Sequence, residues 1–181
     1  MSLQNLERLL SKVSAEHADH RDQEFGIMVC EEALVAARAG NYGIGAIIVN
    51  PQGDIIERGH NQAFYPKFRS DLHAEMVVMN SFEKRFPEVD NMRGYTLVCS
   101  LESCPMCLAR LLITGVQTVK FLVHDELGGM VTHLHRLPEA WKRLAERTEF
   151  VLADVSQELR QFALDVFLVN LEHLRRKLWS R

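Results

Sequence analysis

The order of the predicted elements limits the fold of this chain more than any single motif does. Residues 43–50, "GIGAIIVN", predict a buried strand, "PQGD" is typical of a turn, and "IIERGHN" predicts the return strand of a hairpin. Strands then alternate with helices, which predicts crossover connections between parallel strands. The sequence therefore predicts an α/β fold, a three-layer α/β/α sandwich with a mixed sheet of about five strands.

Hydrophobic periodicity gives the bounds of the other elements. Helices are predicted at about 3–19, from about Asp22 to Ala39, from Leu72 to about Phe82, from Pro105 to about Thr114, and from Gln157 to Trp179. Asp71 is the predicted N-cap of the third helix. Strands are predicted at "GYTLVCS", "QTVKFLV" and "TEFVLAD", and residues 124–141 are predicted to be irregular. We expect one domain over 1–181, with an extra N-terminal helix (about 3–19) and a C-terminal strand–helix segment (about 148–179).

Charge and composition narrow the class of protein. The formal net charge of −3 gives no general basic surface for nucleic acid. No apolar run approaches the roughly 18 residues of a membrane span, and the start of the chain lacks the pattern of a signal peptide, so a cytoplasmic location is expected. Four cysteines are too few for a disulfide scaffold, and two of them, Cys30 and Cys99, lie in apolar surroundings that predict buried core thiols.

The other two cysteines stand in a pattern that suits a metal. Cys104 and Cys107, in "ESCPMC", fall in the first turn of a predicted helix, where the helix dipole favours thiolates. His73, in "HAE" at another predicted helix start, is a candidate third ligand. Three protein ligands leave a fourth position for water in a catalytic zinc site, and Glu75 would then carry a proton from that water to a substrate.

Two other uses of the cysteine pair stay open. A structural zinc site needs four protein ligands, and His124, His133 and His135 are candidates for the fourth. A thioredoxin-like redox pair would leave the nearby "HAE" unexplained.

The combined motifs resemble those of the cytidine-deaminase-like superfamily of zinc hydrolases. "HAEMVVM" and "LESCPMC" resemble the "HAE" and "LEPCPMC" of its guanine, cytosine and tRNA adenosine deaminase branch, and "GIGAIIV" followed by "GHN" resembles its opening hairpin; the match spans roughly residues 22–125. The resemblance implies zinc on His73, Cys104 and Cys107, and Glu75 as proton shuttle. It also implies that the Asn61 side chain and the backbone N–H of Ala74 bind the substrate base. Ser103 stands where the branch has proline, but this departure removes no ligand.

A further stretch bears on the substrate. "LPEAW", at 137–141, resembles a segment of some bacterial guanine deaminases whose glutamate enters the active site, which implies Glu139 as a second catalytic carboxylate and guanine as the substrate, converted to xanthine. A second carboxylate would share the proton transfers to the ring nitrogen and to the leaving amine. The alternative is that Glu139 is a first-turn helix acid after Pro138, favoured there by the helix dipole.

Three rival functions remain at this point. The same core motifs fit a tRNA adenosine deaminase, although the net charge adds no support for RNA, and they fit a deaminase of cytosine, cytidine or another free base. The third rival is an inactive deaminase-fold binding module, which would have no need of Glu75. The resemblance further implies a homodimer, with or without exchange of C-terminal segments, and a small nucleobase as the partner.

Overall fold

The computed structural model describes residues 2–16 and 20–180. The helices are α1 (Leu3–Glu16), α2 (Arg21–Arg38), α3 (Ala74–Arg85), α4 (Pro105–Thr114), α5 (Glu139–Ala145) and α6 (Gln157–Trp179). The strands are β1 (Gly45–Val49), β2 (Ile55–His60), β3 (Thr96–Cys99), β4 (Thr118–Phe121) and β5 (Glu149–Leu152). A short 3₁₀ helix covers Val131–Arg136.

The strands form one mixed sheet in the order β2-β1-β3-β4-β5. β1 is antiparallel to both β2 and β3, whereas β3, β4 and β5 are parallel. This arrangement confirms the predicted hairpin, the parallel crossovers and the five-stranded mixed sheet.

Helices cover both faces of the sheet because the inner strands are apolar on both sides. Along β1, Ile47 and Val49 pack with α1, α2 and α6, while Ala46 and Ile48 pack with α3 and α4. All five residues of β1 are buried, as expected of a strand between two helical layers. The three-layer sandwich follows from this strand.

Two helix starts meet at one end of the sheet. β3 ends at Cys99, and its polypeptide continues into α4, so the first turn of α4 lies beyond the carboxyl end of the strand. The buried Ser100 hydroxyl accepts a hydrogen bond of 3.1 Å from the backbone N–H of Gly45, which joins this end of β3 to the start of β1. The carboxyl ends of parallel strands are where open α/β sheets hold their ligands.

The structure differs from the predicted elements in two places. Helix α3 begins at Ala74 rather than Leu72, because His73 has an extended backbone (φ −68°, ψ 159°) and is itself the N-cap; Asp71 instead pairs with Arg69, with 2.7 Å between Oδ2 and Nη2. The segment predicted to be irregular contains α5 and the 3₁₀ helix.

The other predicted helices and strands are present within the described residues, with ends that differ by a few residues; α3, for example, runs to Arg85 rather than to about Phe82. Residues 17–19 of the predicted N-terminal helix lie outside the described residues. Cys30 and Cys99 are buried core thiols, as predicted, and burial raises the pKa of both. Over residues 2–16 and 20–180, no helix is long and apolar enough to cross a membrane.

Candidate active site

The three predicted metal ligands come together where α3 and α4 begin. The Nδ1 atom of His73 lies 3.5 Å from the Sγ atom of Cys104 and 3.7 Å from that of Cys107. All three ligand atoms lie within 4.8 Å of one another. His73 and Cys104 are the N-caps of their helices, and their extended backbones direct both side chains away from the helix axes to a shared point.

These distances fit a zinc ion. Tetrahedral coordination with Zn–N of about 2.05 Å and Zn–S of about 2.3 Å requires N···S separations of about 3.6 Å, close to the two observed. No fourth histidine, cysteine or carboxylate joins the cluster in the part of the chain that the structure describes. The arrangement is therefore that of an open catalytic site rather than a closed structural one.

The charges at the cluster support the same assignment. Hydrogen bonds with Cys107 and with His73 together lower the pKa of Cys104 to about 4, against the effect of burial. The pKa of Cys107 is raised by its hydrogen bond to Cys104 and by burial. Two thiolates this close repel each other, and a divalent cation between them offsets that repulsion.

The Glu75 carboxyl lies beside the cluster without belonging to it. It is in the first turn of α3 and only 4% exposed. Burial raises its pKa, and the charge of Cys104 raises it further, although a hydrogen bond with Cys107 acts in the opposite direction. A carboxyl group with a raised pKa next to a metal site is suited to accept and return protons.

A cavity of about 150 Å³ opens onto the cluster. His73, Glu75 and Cys104 line it at the metal end. Its other lining residues are mostly apolar and come from several elements: Tyr42, Ile44, Leu101, Glu102, Asp125, Phe167, Leu171 and Arg175. The last three of these lie on one face of α6, so the C-terminal helix forms a wall of the cavity.

The two predicted base-binding groups lie near this cavity. Asn61 is fully buried, and its backbone N–H donates to the carbonyl of the cavity residue Ile44 at 2.9 Å. Its Oδ1 atom accepts a 3.0 Å hydrogen bond from the N–H of Ala63, whereas its Nδ2 has no partner in the described structure. Ala74 is the first residue of α3, where a backbone N–H has no partner within the helix. Both positions therefore offer hydrogen-bond donors.

The structure does not bring Glu139 to the cavity of its own chain. Its side chain is 72% exposed in the first turn of α5, and its Oε1 atom lies 3.7 Å from Nε of Arg143. This is the arrangement expected of a first-turn helix acid. The role of Glu139 as a second catalytic carboxylate stays a prediction.

Sequence reasoning missed three charged residues of the cavity wall, Glu102, Asp125 and Arg175. Glu102 is buried and accepts hydrogen bonds from the backbone N–H groups of Asp125 and Thr132, so it holds the loop after β4 against the metal end. The sequence could have indicated Glu102, because it stands directly before the metal-ligand motif "SCPMC". Arg175 gave no local signal, because the basic run at 175–177 is also typical of a solvated helix end.

A comparison with known families decides the classification. The family model for the cytidine and deoxycytidylate deaminase zinc-binding region matches residues 19–123, more than half of the chain. This chain belongs to that family. Membership confirms a zinc-dependent hydrolytic deaminase and, with the ligand geometry, zinc as its cofactor.

Relatives of this deaminase differ in substrate. The tRNA-specific adenosine deaminase of Bacillus subtilis (strain 168) is 34% identical over 128 residues, which cover 71% of this chain and 77% of that protein. A solved structure from work on A-to-I editing by tRNA deaminases at the wobble position superposes with a TM-score of 0.67 at 20% identity, covering 79% of this chain and 98% of the other. The guanine deaminase of Nitrosomonas europaea superposes with a TM-score of 0.61 at 17% identity, covering 79% of this chain and 82% of the other. At these identities both structures establish the fold alone.

Proposed function

We propose that this deaminase acts on a free heterocycle of nucleobase size, and that guanine, converted to xanthine and ammonia, is its substrate. The observation that carries the proposal is the size and closure of the metal cavity. At about 150 Å³ it is smaller than the roughly 300–1,000 Å³ of pockets for drug-sized ligands. Phe167 and Leu171 of α6 line it, so a side of the cavity is closed by the C-terminal helix.

This closure favours a free base over a base within a polynucleotide. A nucleotide in RNA must place its base in the site while its ribose and both neighbouring phosphates remain outside. The helix along a side of the cavity restricts the space through which the ribose and phosphates would have to pass. A free base has neither group and needs only an opening of its own size. Guanine in particular is supported by the resemblance of the C-terminal strand and helix to those of bacterial guanine deaminases. The "LPEAW" segment adds no support within one copy of the chain, because Glu139 lies outside the cavity.

The reaction adds water across the amine-bearing ring carbon and expels the amine. Zinc held by His73, Cys104 and Cys107 supplies the Lewis acidity that makes water a nucleophile near neutral pH. Glu75 takes one proton of the attacking water and passes it to the adjacent ring nitrogen. It then takes the remaining proton from the hydroxyl group formed on the ring carbon and delivers it to the leaving amine. The carbon–nitrogen bond breaks, ammonia leaves, and the ring keeps a carbonyl oxygen from water. The raised pKa of Glu75 suits this double use because the carboxyl must hold the proton between the two transfers.

Hydrogen bonds then fix the base in the cavity. The unpartnered Nδ2 of Asn61 donates to an acceptor on the ring, and the N–H of Ala74 donates to the carbonyl oxygen that forms at the reacting carbon. Apolar contacts with Ile44, Leu101 and Phe167 hold the ring faces. A buried donor without a partner costs about 1–3 kcal/mol, so ligand binding would offset a cost already present in the fold.

Replacing Asn61 tests this orientation role. Asn61→Asp keeps the oxygen that accepts from Ala63 but removes the Nδ2 donor. We expect kcat/KM for guanine to fall by about tenfold or more, with zinc content unchanged. The matched control is Asn80→Asp on α3, whose Oδ1 atom accepts from Arg110 at 2.6 Å and stays outside the cavity. Equal losses in both variants would contradict the proposed role.

A second candidate substrate is adenosine in tRNA. It is favoured by the 34% identical Bacillus subtilis relative, which is named a tRNA-specific adenosine deaminase. Under this alternative, the cationic residues near the end of α6 would contact phosphates beside the cavity.

Ammonia release from a substrate panel separates the two candidates. The panel contains guanine, adenine, cytosine, cytidine, guanosine and an adenosine-containing anticodon stem-loop. We expect turnover of guanine and no release from the stem-loop. Turnover confined to the stem-loop would show that adenosine in tRNA, not guanine, is the substrate.

Glu139→Gln, measured beside the wild type, is expected to keep kcat/KM within about twofold because Glu139 lies outside its own chain's cavity. A large loss would place Glu139 in the site of a second copy.

A further inference from the structure

Arg175 lines the metal cavity and is not one of the metal ligands. It belongs to α6 and stands two helical turns after Phe167, about 12 Å along the axis. Besides the metal cavity it lines two neighbouring surface cavities, and neither of those contains a metal ligand. The residue therefore stands between the site and solvent, at the mouth of the cavity.

The guanidinium group of Arg175 acts inside this mouth. Burial raises the pKa of Tyr42, and the charge of Arg175 opposes that rise. Tyr42 also lines the metal cavity, so the charged end of Arg175 lies near the cavity wall rather than in open solvent.

Arg175 differs from the cations beside it, which have partners on the protein surface. Arg176 pairs with Glu172 at 3.3 Å, and the ammonium of Lys177 lies 4.6 Å from the ring centre of Tyr65. Arg175 makes no hydrogen bond or ion pair with residues 2–16 or 20–180 of this chain. It is half-buried, so its five N–H donors are only partly satisfied by solvent.

The acids that share the cavity do not account for Arg175 either. The Oδ1 atom of Asp125 accepts from the backbone N–H groups of Leu127 and Gly128. The two oxygens of Glu102 are taken by the loop after β4. The positive charge of Arg175 thus has no partner among residues 2–16 and 20–180, which is expected where the partner is a ligand.

The chemistry of guanine supplies a matching partner. When the amine-bearing carbon faces the metal, the opposite edge of the bicyclic ring faces away from it. That edge carries the carbonyl oxygen and the neighbouring imidazole nitrogen, two acceptors side by side. The planar fork of arginine donates to both at once, which is the commonest specific arginine–guanine contact in nucleic-acid recognition.

We propose that Arg175 is a specificity-determining residue that binds the carbonyl oxygen and the adjacent imidazole nitrogen of the substrate base from the mouth of the cavity. This role rests on the proposed function, with guanine as the substrate, and it names the residue that selects guanine over other bases. Adenine is rejected on two counts. Its amine is a donor on the edge where Arg175 requires an acceptor, and it has no amine on the ring carbon that would then face the metal.

The test compares guanine with two analogues that keep the reacting amine. One is deazaguanine, in which carbon replaces the imidazole nitrogen, and the other is the aminopurine that lacks the carbonyl oxygen. The ratio of kcat/KM for guanine to that for each analogue is measured in the wild type, in Arg175→Met and in Arg175→Lys. Arg176→Met is the matched control, because it removes a neighbouring positive charge that points to Glu172. Zinc content and the dissociation constant of xanthine, which keeps the same edge, are measured in parallel.

We expect Arg175→Met to reduce the preference for guanine over each analogue by about tenfold or more and to weaken xanthine binding similarly. The preference of Arg175→Lys for guanine should lie between those of the wild type and of Arg175→Met, because lysine keeps the positive charge but not the two parallel donors of arginine. Arg176→Met should match the wild type. If both Arg175 variants keep the wild-type preference for guanine, the proposed role of Arg175 is overturned. The substrate proposal is tested separately, and it stands as long as the wild type deaminates guanine. A wild type that neither deaminates guanine nor binds xanthine overturns both.

Discussion

Glu75→Gln is expected to lower kcat by about 10²–10⁴-fold, the range that a positioned general acid–base contributes. Glutamine has nearly the same shape as glutamate but cannot carry the proton from water to the ring nitrogen and the amine. Because Glu75 lies outside the cluster of three ligands, the variant should keep its zinc. Steady-state kinetics together with zinc analysis by atomic emission test both statements.

The control for this variant is Glu83→Gln, on the same helix. Glu83 is half-exposed and pairs with Arg110 at 2.8 Å, outside the cavity. It should keep wild-type kcat. If Glu75→Gln remained active within about threefold, another group would have to move the protons. If it lost its zinc, Glu75 would have to be counted among the metal-binding groups.

Cys107→Ala is the second variant with a large expected effect, since it removes one of three protein ligands. Structural zinc sites bind with about 10–16 kcal/mol, or roughly 3 kcal/mol for each of four ligands, so the loss of one thiolate should weaken zinc binding by about a hundredfold or more. Deamination should fall to background at limiting zinc. Cys104→Ala should behave alike, because both Sγ atoms lie within 4 Å of Nδ1 of His73.

A matched control separates zinc loss from the loss of a buried thiol. Cys30→Ala also removes a fully buried cysteine, but Cys30 lies in α2 within the core on the opposite face of the sheet from α3 and α4. It should lower the unfolding midpoint while keeping zinc and activity. Zinc competition with a chromophoric chelator gives the affinities. Full zinc retention by both Cys104→Ala and Cys107→Ala would contradict the assignment of the metal site.

The part of the chain that we expect to select the substrate lies outside the family match. The matched segment ends at residue 123, whereas α6, which contributes Phe167, Leu171 and Arg175 to the cavity, begins at Gln157. The shared core thus contains the metal ligands, Glu75 and part of the cavity wall, and later residues complete that wall.

Local sequence determined the elements that bring the metal ligands together. The positions of His73, Cys104 and Cys107 follow from short motifs at the starts of α3 and α4, and the sheet order follows from a hairpin and two crossovers. Such features depend on residues a few positions apart, so periodicity and capping patterns can predict them. Even here the start of α3 was placed two residues early, because His73, whose extended backbone makes it the N-cap, is not one of the residue types that usually cap a helix.

Only the tertiary structure decided which residues surround the metal site. The resemblance of "LPEAW" implied a place in the cavity for Glu139, yet its side chain lies in solvent on α5. Arg175, in a stretch typical of a solvated helix end, lines the cavity. The physical reason is that the position of α6 is set by its packing on α1 and α2, through contacts between residues more than 100 positions apart. No local pattern encodes which face of that helix meets the cavity, since both of its faces carry apolar and charged residues and only the packed core selects between them.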